Sequence, residues 1–166
     1  PVDYASLRAQ LSEVQRQWAN TDRRKLLHSL QATIEDGRAK LLLTWQALQL
    51  RRQHPELVQQ GEYLPLNCAG AQAEHLCAFA RRHEGAVLVA VAPRWFARLL
   101  GDDATLPVPA GLWSDTYVDL APLGGRFDLT DVLGDRELQP SQGHLDAADL
   151  FADFPVALLI GATPGQ

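Results

Sequence analysis

The sequence predicts an α+β protein, with a helical segment over residues 1–61 followed by a C-terminal antiparallel β-sandwich domain over residues 62–166. Two observations predict this class. Apolar residues recur every three or four positions as far as Gly61 and mostly every second position after it, which is the change from a helical to an extended period. The second part contains about seven or eight short strands separated by turn residues, which favours a sandwich over βαβ units.

The first two helices are predicted over residues 1–20 and about 22–33. Pro1 suits a first helical position, and Thr21 or Asp22 is a candidate N-cap of the second helix. Each helix has one apolar face with helical spacing. The apolar residues are Tyr4, Leu7, Leu11, Val14 and Trp18 in the first helix, and Leu26, Leu27 and Leu30 in the second.

The third predicted helix, residues 36–53, is apolar around much of its circumference, which is typical of a helix packed between two neighbours. Asp36 is its predicted N-cap. The His54-Pro55 pair disfavours continuation of the helix, one more turn is predicted at residues 56–58, and Gly61 is predicted to close the segment in the left-handed conformation. The apolar residues are Leu41, Leu42, Leu43, Trp45, Ala47, Leu48 and Leu50.

The strands of the second part are short, and the first three are expected to form an antiparallel meander. A short helix is predicted at residues 93–100, a loop at 103–112, and residues 145–151 are ambiguous, with a helical turn as one interpretation. The predicted strands are residues 62–68, 74–82, 86–91, 116–120, 126–132, 137–139 and 154–160.

Two cysteines, Cys68 and Cys77, are present. In the predicted hairpin Cys68 would lie opposite about Glu74 and Cys77 opposite about Pro65, and disulfide geometry does not tolerate such an offset. We therefore expect two free thiols in a reducing, cytoplasmic compartment. Zinc needs about four ligands, which this pair does not supply, so no metal site and no cofactor are expected.

The composition argues against nucleic-acid-binding, membrane-spanning and secreted proteins. The net charge of −5, from 15 basic and 20 acidic residues, argues against a nucleic-acid partner, since such proteins usually present a basic face. No run of about 18 apolar residues predicts a membrane span, and no signal peptide opens the chain. Because the chain begins at Pro1 and contains no methionine, we expect it to be a piece of a longer protein.

No recognised catalytic motif is found, whether a glycine-rich phosphate loop, a metal-binding His-Glu-x-x-His or a nucleophile elbow. Paired carboxylates could perform glycoside chemistry, but acidic residues beside glycine and proline usually accept turn hydrogen bonds, which is the interpretation we favour. The loop acids are Asp102, Asp103, Asp115, Asp131, Asp135, Asp146, Asp149 and Asp153.

Aromatic residues suggest a second kind of site. A sugar-stacking platform could be formed by Trp95, Phe96, Trp113 and Tyr117. The alternative is that these rings fill the core, as is expected for Trp18 and Trp45 on their apolar stripes.

Several stretches together resemble the maltooligosyl trehalose synthases of the α-amylase superfamily. They are Pro1-Val2-Asp3-Tyr4 before a long helix, residues 36–41 with residues 50–57 and 61–66, and residues 150–159. The Leu-Arg-Arg-x-His-Pro element is found in many enzymes of that superfamily, whereas its combination with the opening Pro-Val-Asp-Tyr is more specific. The resemblance covers nearly the whole chain and identifies it with the C-terminal region of the family.

The resemblance implies a parent enzyme that converts the reducing-end α-1,4 bond of a maltooligosaccharide into an α,α-1,1 bond. The family works through a covalent glycosyl-enzyme, with an aspartate nucleophile and a glutamate acid/base. Those residues lie on a (β/α)₈ barrel and none maps onto residues 1–166. We therefore assign no catalytic residue, and we expect a structural, inactive fragment whose partner is the missing barrel of the same chain.

The resemblance also suggests where substrate could come near. Asp3 and Tyr4 follow the last barrel strand of the family, and such barrels hold their active sites at the strand ends. With Trp113 they are the candidate maltooligosaccharide-binding residues, packing at the helix start being the alternative role for the first two. Helices that normally cover a barrel would expose apolar faces in isolation and self-associate. The alternatives are a free-standing carbohydrate-binding β-sandwich and a pure interaction module.

Overall fold

The computed structural model describes residues 3–101 and 108–163, so Pro1, Val2, Asp102 and Asp103 lie outside the described residues. Four helices come first: α1 Tyr4–Asn20, α2 Arg23–Ala32, α3 Arg38–Gln53 and α4 Pro55–Gln59. The strands follow: β1 Glu62–Pro65, β2 Cys68–Ala69, β3 Leu76–His83, β4 Ala86–Pro93, β5 Tyr117–Asp119, β6 Asp128–Asp131, β7 Arg136–Leu138, β8 His144–Asp146 and β9 Ala157–Ala162. Two short helices, α5 Phe96–Leu100 and α6 Ala147–Leu150, lie between strands.

Local capping chemistry sets where the first helices begin. The Asp22 carboxylate accepts a hydrogen bond from the backbone N–H of Lys25 at 2.9 Å, which confirms Asp22 as the N-cap of α2. Such a bond satisfies one of the backbone donors that a helix start leaves without a partner. The prediction for α3 was wrong by one residue, because a 3₁₀ turn at Ile34–Asp36 ends in Gly37, which has a φ of 82° and is the N-cap. Asp36 instead accepts from the Arg38 N–H at 2.8 Å.

The end of the helical segment also differs from the prediction. Gly61 is not among the described glycines with positive φ. Its N–H donates to the carbonyl of Glu56 at 3.0 Å. A Cβ at Gly61 would collide with the Leu57 carbonyl of α4. The glycine is therefore needed for close approach of the backbone to α4 rather than for a left-handed turn.

The strands form two antiparallel sheets. Six strands have the order β1-β3-β4-β9-β6-β7, and the other three have the order β2-β5-β8. The predicted hairpin of residues 62–68 was wrong in register and extent, because Pro65 lies opposite Phe79 and Cys68 pairs with Val118 of β5. The chain leaves the larger sheet after Leu66, whose N–H makes its bond to Ala78, and β2 then joins the smaller sheet.

The central strand β4 of the larger sheet is buried on both faces. Val87, Val89 and Val91 of β4 share one core with Val118 and Leu145 of the smaller sheet. Leu88 lies between these valines in β4 and packs on the other side of the sheet. There it belongs to one cluster with Leu158 of β9, Leu50 of α3 and Leu57 of α4. This alternation is the period of two expected for a strand, and it places the helices and the smaller sheet on opposite faces.

A third core holds the helices together. It contains buried residues of α1, α2 and α3 together with Leu133 and Phe154 from the strand region. Trp18 and Trp45 pack against this cluster edge to face, with ring centroids 6.0 Å apart, as their positions on the apolar stripes predicted. Ala47 and Leu48 of α3 are exceptions to the predicted packing, since both are exposed, Leu48 to 53%. None of the described helices has the length and apolar character needed to cross a bilayer.

Candidate functional site

The two candidates at the chain start lie at the beginning of α1. The Asp3 carboxylate accepts hydrogen bonds from the backbone N–H groups of Ala5 at 3.1 Å and Ser6 at 3.0 Å, so it caps the helix. Tyr4 is the first helical residue and is 69% exposed. The carboxylate of Asp3 therefore has a structural role within this chain, whereas the ring of Tyr4 is presented to solvent.

Trp113 does not lie on a binding surface. It is 1% exposed and belongs to the core between the two sheets. Its ring lies 5.2 Å from that of Phe151. The interpretation of Trp113 as a surface sugar-binding residue is corrected by this burial, since a ring that stacks on a saccharide must present one face to solvent. Its position beside Ser114 and Asp115 suggested exposure, but the side chain is buried in the core.

The four aromatic residues proposed as a platform are not brought together among the described residues. Trp95 is 47% exposed, and the guanidinium carbon of Arg94 lies over its ring, 4.1 Å from the ring centre. Tyr117 instead packs on His144 at 4.5 Å. Trp113 is buried, and no aromatic contact among the described residues joins any two of Trp95, Phe96, Trp113 and Tyr117.

Asp131 is the loop acid that most resembles a functional group. It is 4% exposed, and its carboxylate accepts hydrogen bonds from the N–H groups of Leu133 at 3.1 Å and Gly134 at 3.0 Å. Burial raises the pKa of the Asp131 carboxyl above its ordinary value, against the opposing effect of those hydrogen bonds. A perturbed pKa is common at functional sites, but both oxygens of Asp131 serve the turn between β6 and β7, as the turn interpretation predicted.

A charged junction between the helices and the sheet was missed from the sequence. Asp153 is 3% exposed, and its carboxylate lies 2.7 Å from Nε of Arg24 in α2 and 3.0 Å from Nε of Arg136 in β7. These are ion pairs in which the N–H groups are poorly aligned for hydrogen bonding. His28 of α2 lies 3.5 Å from the same carboxylate. The Asp153 carbonyl accepts from Nε2 of the buried Gln31 at 2.6 Å.

This junction holds α2 against the loop that precedes β9. Removing one partner of a buried ion pair is strongly unfavourable, so Asp153 needs its cationic neighbours to remain buried. Nothing in the local sequence pairs residue 153 with residues 24, 28 and 31, because the pairing depends on tertiary packing. Asp131 and Asp153, the two buried loop acids, therefore both have structural partners.

The exposed part of α3 borders a groove of about 590 Å³. Trp45 and Leu48 provide its apolar wall, and Arg51, Arg52 and Gln59 are among its polar residues. Large apolar side chains at the surface mark contact sites when they cluster beside a polar rim. This α3 groove is therefore a candidate surface for a macromolecular contact.

The two thiols are unbridged, as predicted. Burial raises the pKa of the Cys68 thiol, with a smaller contribution from the neighbouring Cys77, so Cys68 is not an activated thiolate. Within residues 3–101 and 108–163, no three His, Cys, Asp or Glu side chains gather as metal ligands would. Cys68 therefore lacks the lowered pKa of an activated nucleophile.

Comparison with known proteins gives the site its context. No protein-family model matches the chain. Proteins named maltooligosyl trehalose synthase from two strains of Mycobacterium tuberculosis are each 38% identical over 117 residues, which is 69% of this chain and 12% of those proteins. A solved mutant of maltooligosyltrehalose synthase from Arthrobacter ramosus is 37% identical, with a TM-score of 0.66, over 98% of this chain and 17% of that one.

The chain thus spans about an eighth of the length of the curated relatives that it matches. The structural match extends over nearly all of it, at an identity that supports common ancestry as well as a common fold. The resemblance stated from residues 1–4, 36–41, 50–57, 61–66 and 150–159 is confirmed, and the chain is related to a part of the maltooligosyl trehalose synthases.

Proposed function

We propose that this chain is the C-terminal, structural part of a cytoplasmic enzyme that converts the reducing-end α-1,4 bond of a maltooligosaccharide into an α,α-1,1 bond, as in trehalose biosynthesis. The observation that carries the proposal is the match to the Arthrobacter enzyme over 98% of this chain but only 17% of that enzyme. The catalytic aspartate and glutamate of the retaining reaction would lie in the rest of the polypeptide.

The exposed apolar surfaces of the helices support a structural role for this chain beside the catalytic barrel. The α3 groove, with Leu48 at 53% exposure and Trp45 beside it, is the kind of apolar surface that a neighbouring domain covers. We propose that the catalytic barrel of the same polypeptide packs there. Exposed Tyr4 and Leu7 at the start of α1 provide a second apolar contact toward the same domain. In the isolated chain these faces would favour self-association.

The two sheets fit a C-terminal sandwich of the kind found in the α-amylase superfamily. Their shared core of β4 and β5 residues is what a face-to-face packing of sheets requires. In this role the sheets give the helices a rigid base, because α3 and α4 pack on the outer face of the larger sheet through Leu50 and Leu57. The sandwich would thereby fix the angle at which the helices meet the barrel.

The proposal predicts that the isolated chain has no activity. Purified chain would be incubated with maltopentaose, and the loss of reducing ends would be measured over time. The variant Asp131→Asn would be assayed in parallel. We expect no loss in either sample. Turnover by the unsubstituted chain would contradict the proposal, and loss of that turnover in the variant would place catalysis at Asp131. The upstream coding sequence should encode a barrel with the catalytic Asp and Glu strands.

A further inference from the structure

A cleft of about 510 Å³ lies between the ends of the two sheets. One wall is the segment 119–128, which leaves β5 and enters β6, and the other is the segment 139–143, which leads from β7 to β8. Its volume is within the range of small-molecule sites, roughly 300–1,000 Å³. The cleft shares no lining residue with the α3 groove.

Hydrogen bonds hold both walls in place before any ligand arrives. The N–H of Leu120 donates to the carbonyl of Gly143 at 2.9 Å and joins one wall to the other. The Asp119 carboxylate accepts from the N–H of Ala121 at 2.8 Å, and Arg82 donates to the carbonyl of Leu123 at 2.6 Å. A site whose walls are fixed in advance loses less conformational entropy when it binds.

The polar side chains of the cleft are exposed and can form hydrogen bonds with a ligand. Arg126, Asp128, Gln139 and Gln142 are exposed, and no ion pair within the described ranges involves Arg126 or Asp128. Gln142 has a φ of 51°, a conformation that is uncommon for a residue with a side chain. Together these groups provide amide, guanidinium and carboxylate atoms, which are both donors and acceptors.

The balance of charges selects the class of ligand. The Asp119 carboxylate is engaged by the Ala121 N–H, so the charges left without a partner among the described residues of the cleft are one guanidinium, Arg126, and one carboxylate, Asp128. This balance favours a neutral ligand over a phosphate or a strongly cationic ligand. Phe127 is only 7% exposed, so it offers little area to a lipid. A neutral molecule with many hydroxyl groups matches donors and acceptors placed around a polar cleft.

We propose that this cleft binds a short α-1,4-glucan, at a position that none of the predicted site residues Asp3, Tyr4 and Trp113 occupies. The choice of an α-1,4-glucan rests on the proposed function, whereas the preference for a neutral saccharide rests on the cleft itself. Since the cleft lacks an exposed aromatic ring, the affinity is expected to be weak, with a Kd of about 1 mM. Binding there would retain a long substrate near the enzyme by a second contact.

The test is a titration of the ¹⁵N-labelled 166-residue chain with maltopentaose to about 20 mM, well above the expected Kd. We expect shift changes confined to residues 119–128 and 139–143, and at least about a fivefold weaker Kd for Arg126→Ala combined with Gln142→Ala. Gln53→Ala, an exposed change at the end of α3, should leave the Kd unchanged.

Absence of shift changes, changes centred elsewhere, or an equal response to sorbitol would each overturn the proposal. The folded state of each variant would be checked by its thermal midpoint, since all three substituted residues are exposed and should not alter it. The result of this titration is independent of whether the proposed structural function is correct. A chain that binds no glucan can still be the structural part of the enzyme, and a chain that binds glucan can still fail to support a barrel.

Discussion

The Nε2 amide of Gln31 in α2 donates a 2.6 Å hydrogen bond to the backbone carbonyl of Asp153, across 122 positions of sequence. Gln31 is 4% exposed and Asp153 is 3% exposed. The bond joins the helical segment to the chain that leads into β9. Together with the ion pairs of the Asp153 carboxylate, it adds polar contacts to the apolar core through which α2 packs.

Replacing Gln31 by alanine should therefore destabilise the chain by about 1–3 kcal/mol, the cost of leaving a buried polar group without its partner. The free energy of unfolding would be measured by urea denaturation. Gln53→Ala is the matched control and should change the stability by less than about 0.5 kcal/mol, since Gln53 is exposed. Equal effects of the two substitutions would show that the bond to Asp153 contributes nothing.

The buried Asp131 predicts a dependence of stability on pH. Because burial raises its pKa in the folded state, the folded chain binds the proton more tightly than the unfolded chain does. Between the ordinary pKa and the raised one, the contribution of Asp131 to stability must then fall as the pH rises. As the pH is lowered from about 7 to about 4, the native chain should gain stability relative to Asp131→Asn. If the urea midpoints of the native chain and of Asp131→Asn differ by the same amount at every pH in this range, Asp131 does not have a raised pKa in the folded chain.

Two glycines should respond differently to the same substitution. Gly37 and Gly70 both have positive φ, at 82° and 102°. A Cβ at Gly37 would meet no atom within 4 Å, whereas at Gly70 it would collide with the backbone of Asp115 and Thr116. Gly37→Ala should cost about 1–2 kcal/mol from backbone strain alone, and Gly70→Ala should cost more than about 3 kcal/mol. Thermal unfolding of both variants measures the difference, and similar midpoints would argue against the close contact that Gly70 makes beside β2.

The α3 groove predicts a variant that separates docking from folding. Leu48→Glu should change the stability of the isolated chain by less than about 0.5 kcal/mol, since the side chain is half exposed. It should nevertheless weaken association with the remaining enzyme and reduce self-association of the chain. Sedimentation velocity measures both effects. Gln53→Glu adds the same charge on another side of α3 and is the control. If both variants associate as the native chain does, the groove is not the contact surface.

Local chemistry accounts for what the sequence predicted well. Asp22 caps α2 through a residue only three positions away, and the alternating residues Val87 to Val91 identify a strand with two buried faces. Such features depend on neighbours within one or two turns of the chain, so a sequence pattern can reveal them.

The failures have tertiary causes. The two-residue strand β2 and the three-residue strand β8 are too short to show a period, and their pairing with β5 depends on where the chain changes sheets. Trp113 follows no apolar period, yet its ring lies in the core. The partners of Asp153 come from α2 and β7, a grouping that only the assembled fold creates.

The most direct measurement adds this chain to the separately expressed remainder of the parent enzyme and follows the conversion of maltopentaose into a product without a reducing end. The account predicts that the remainder alone is inactive or unstable, that the chain alone is inactive, and that the mixture recovers activity which Leu48→Glu reduces and Gln53→Glu does not. Full activity of the remainder without this chain would contradict the central claim that the chain supports the catalytic barrel.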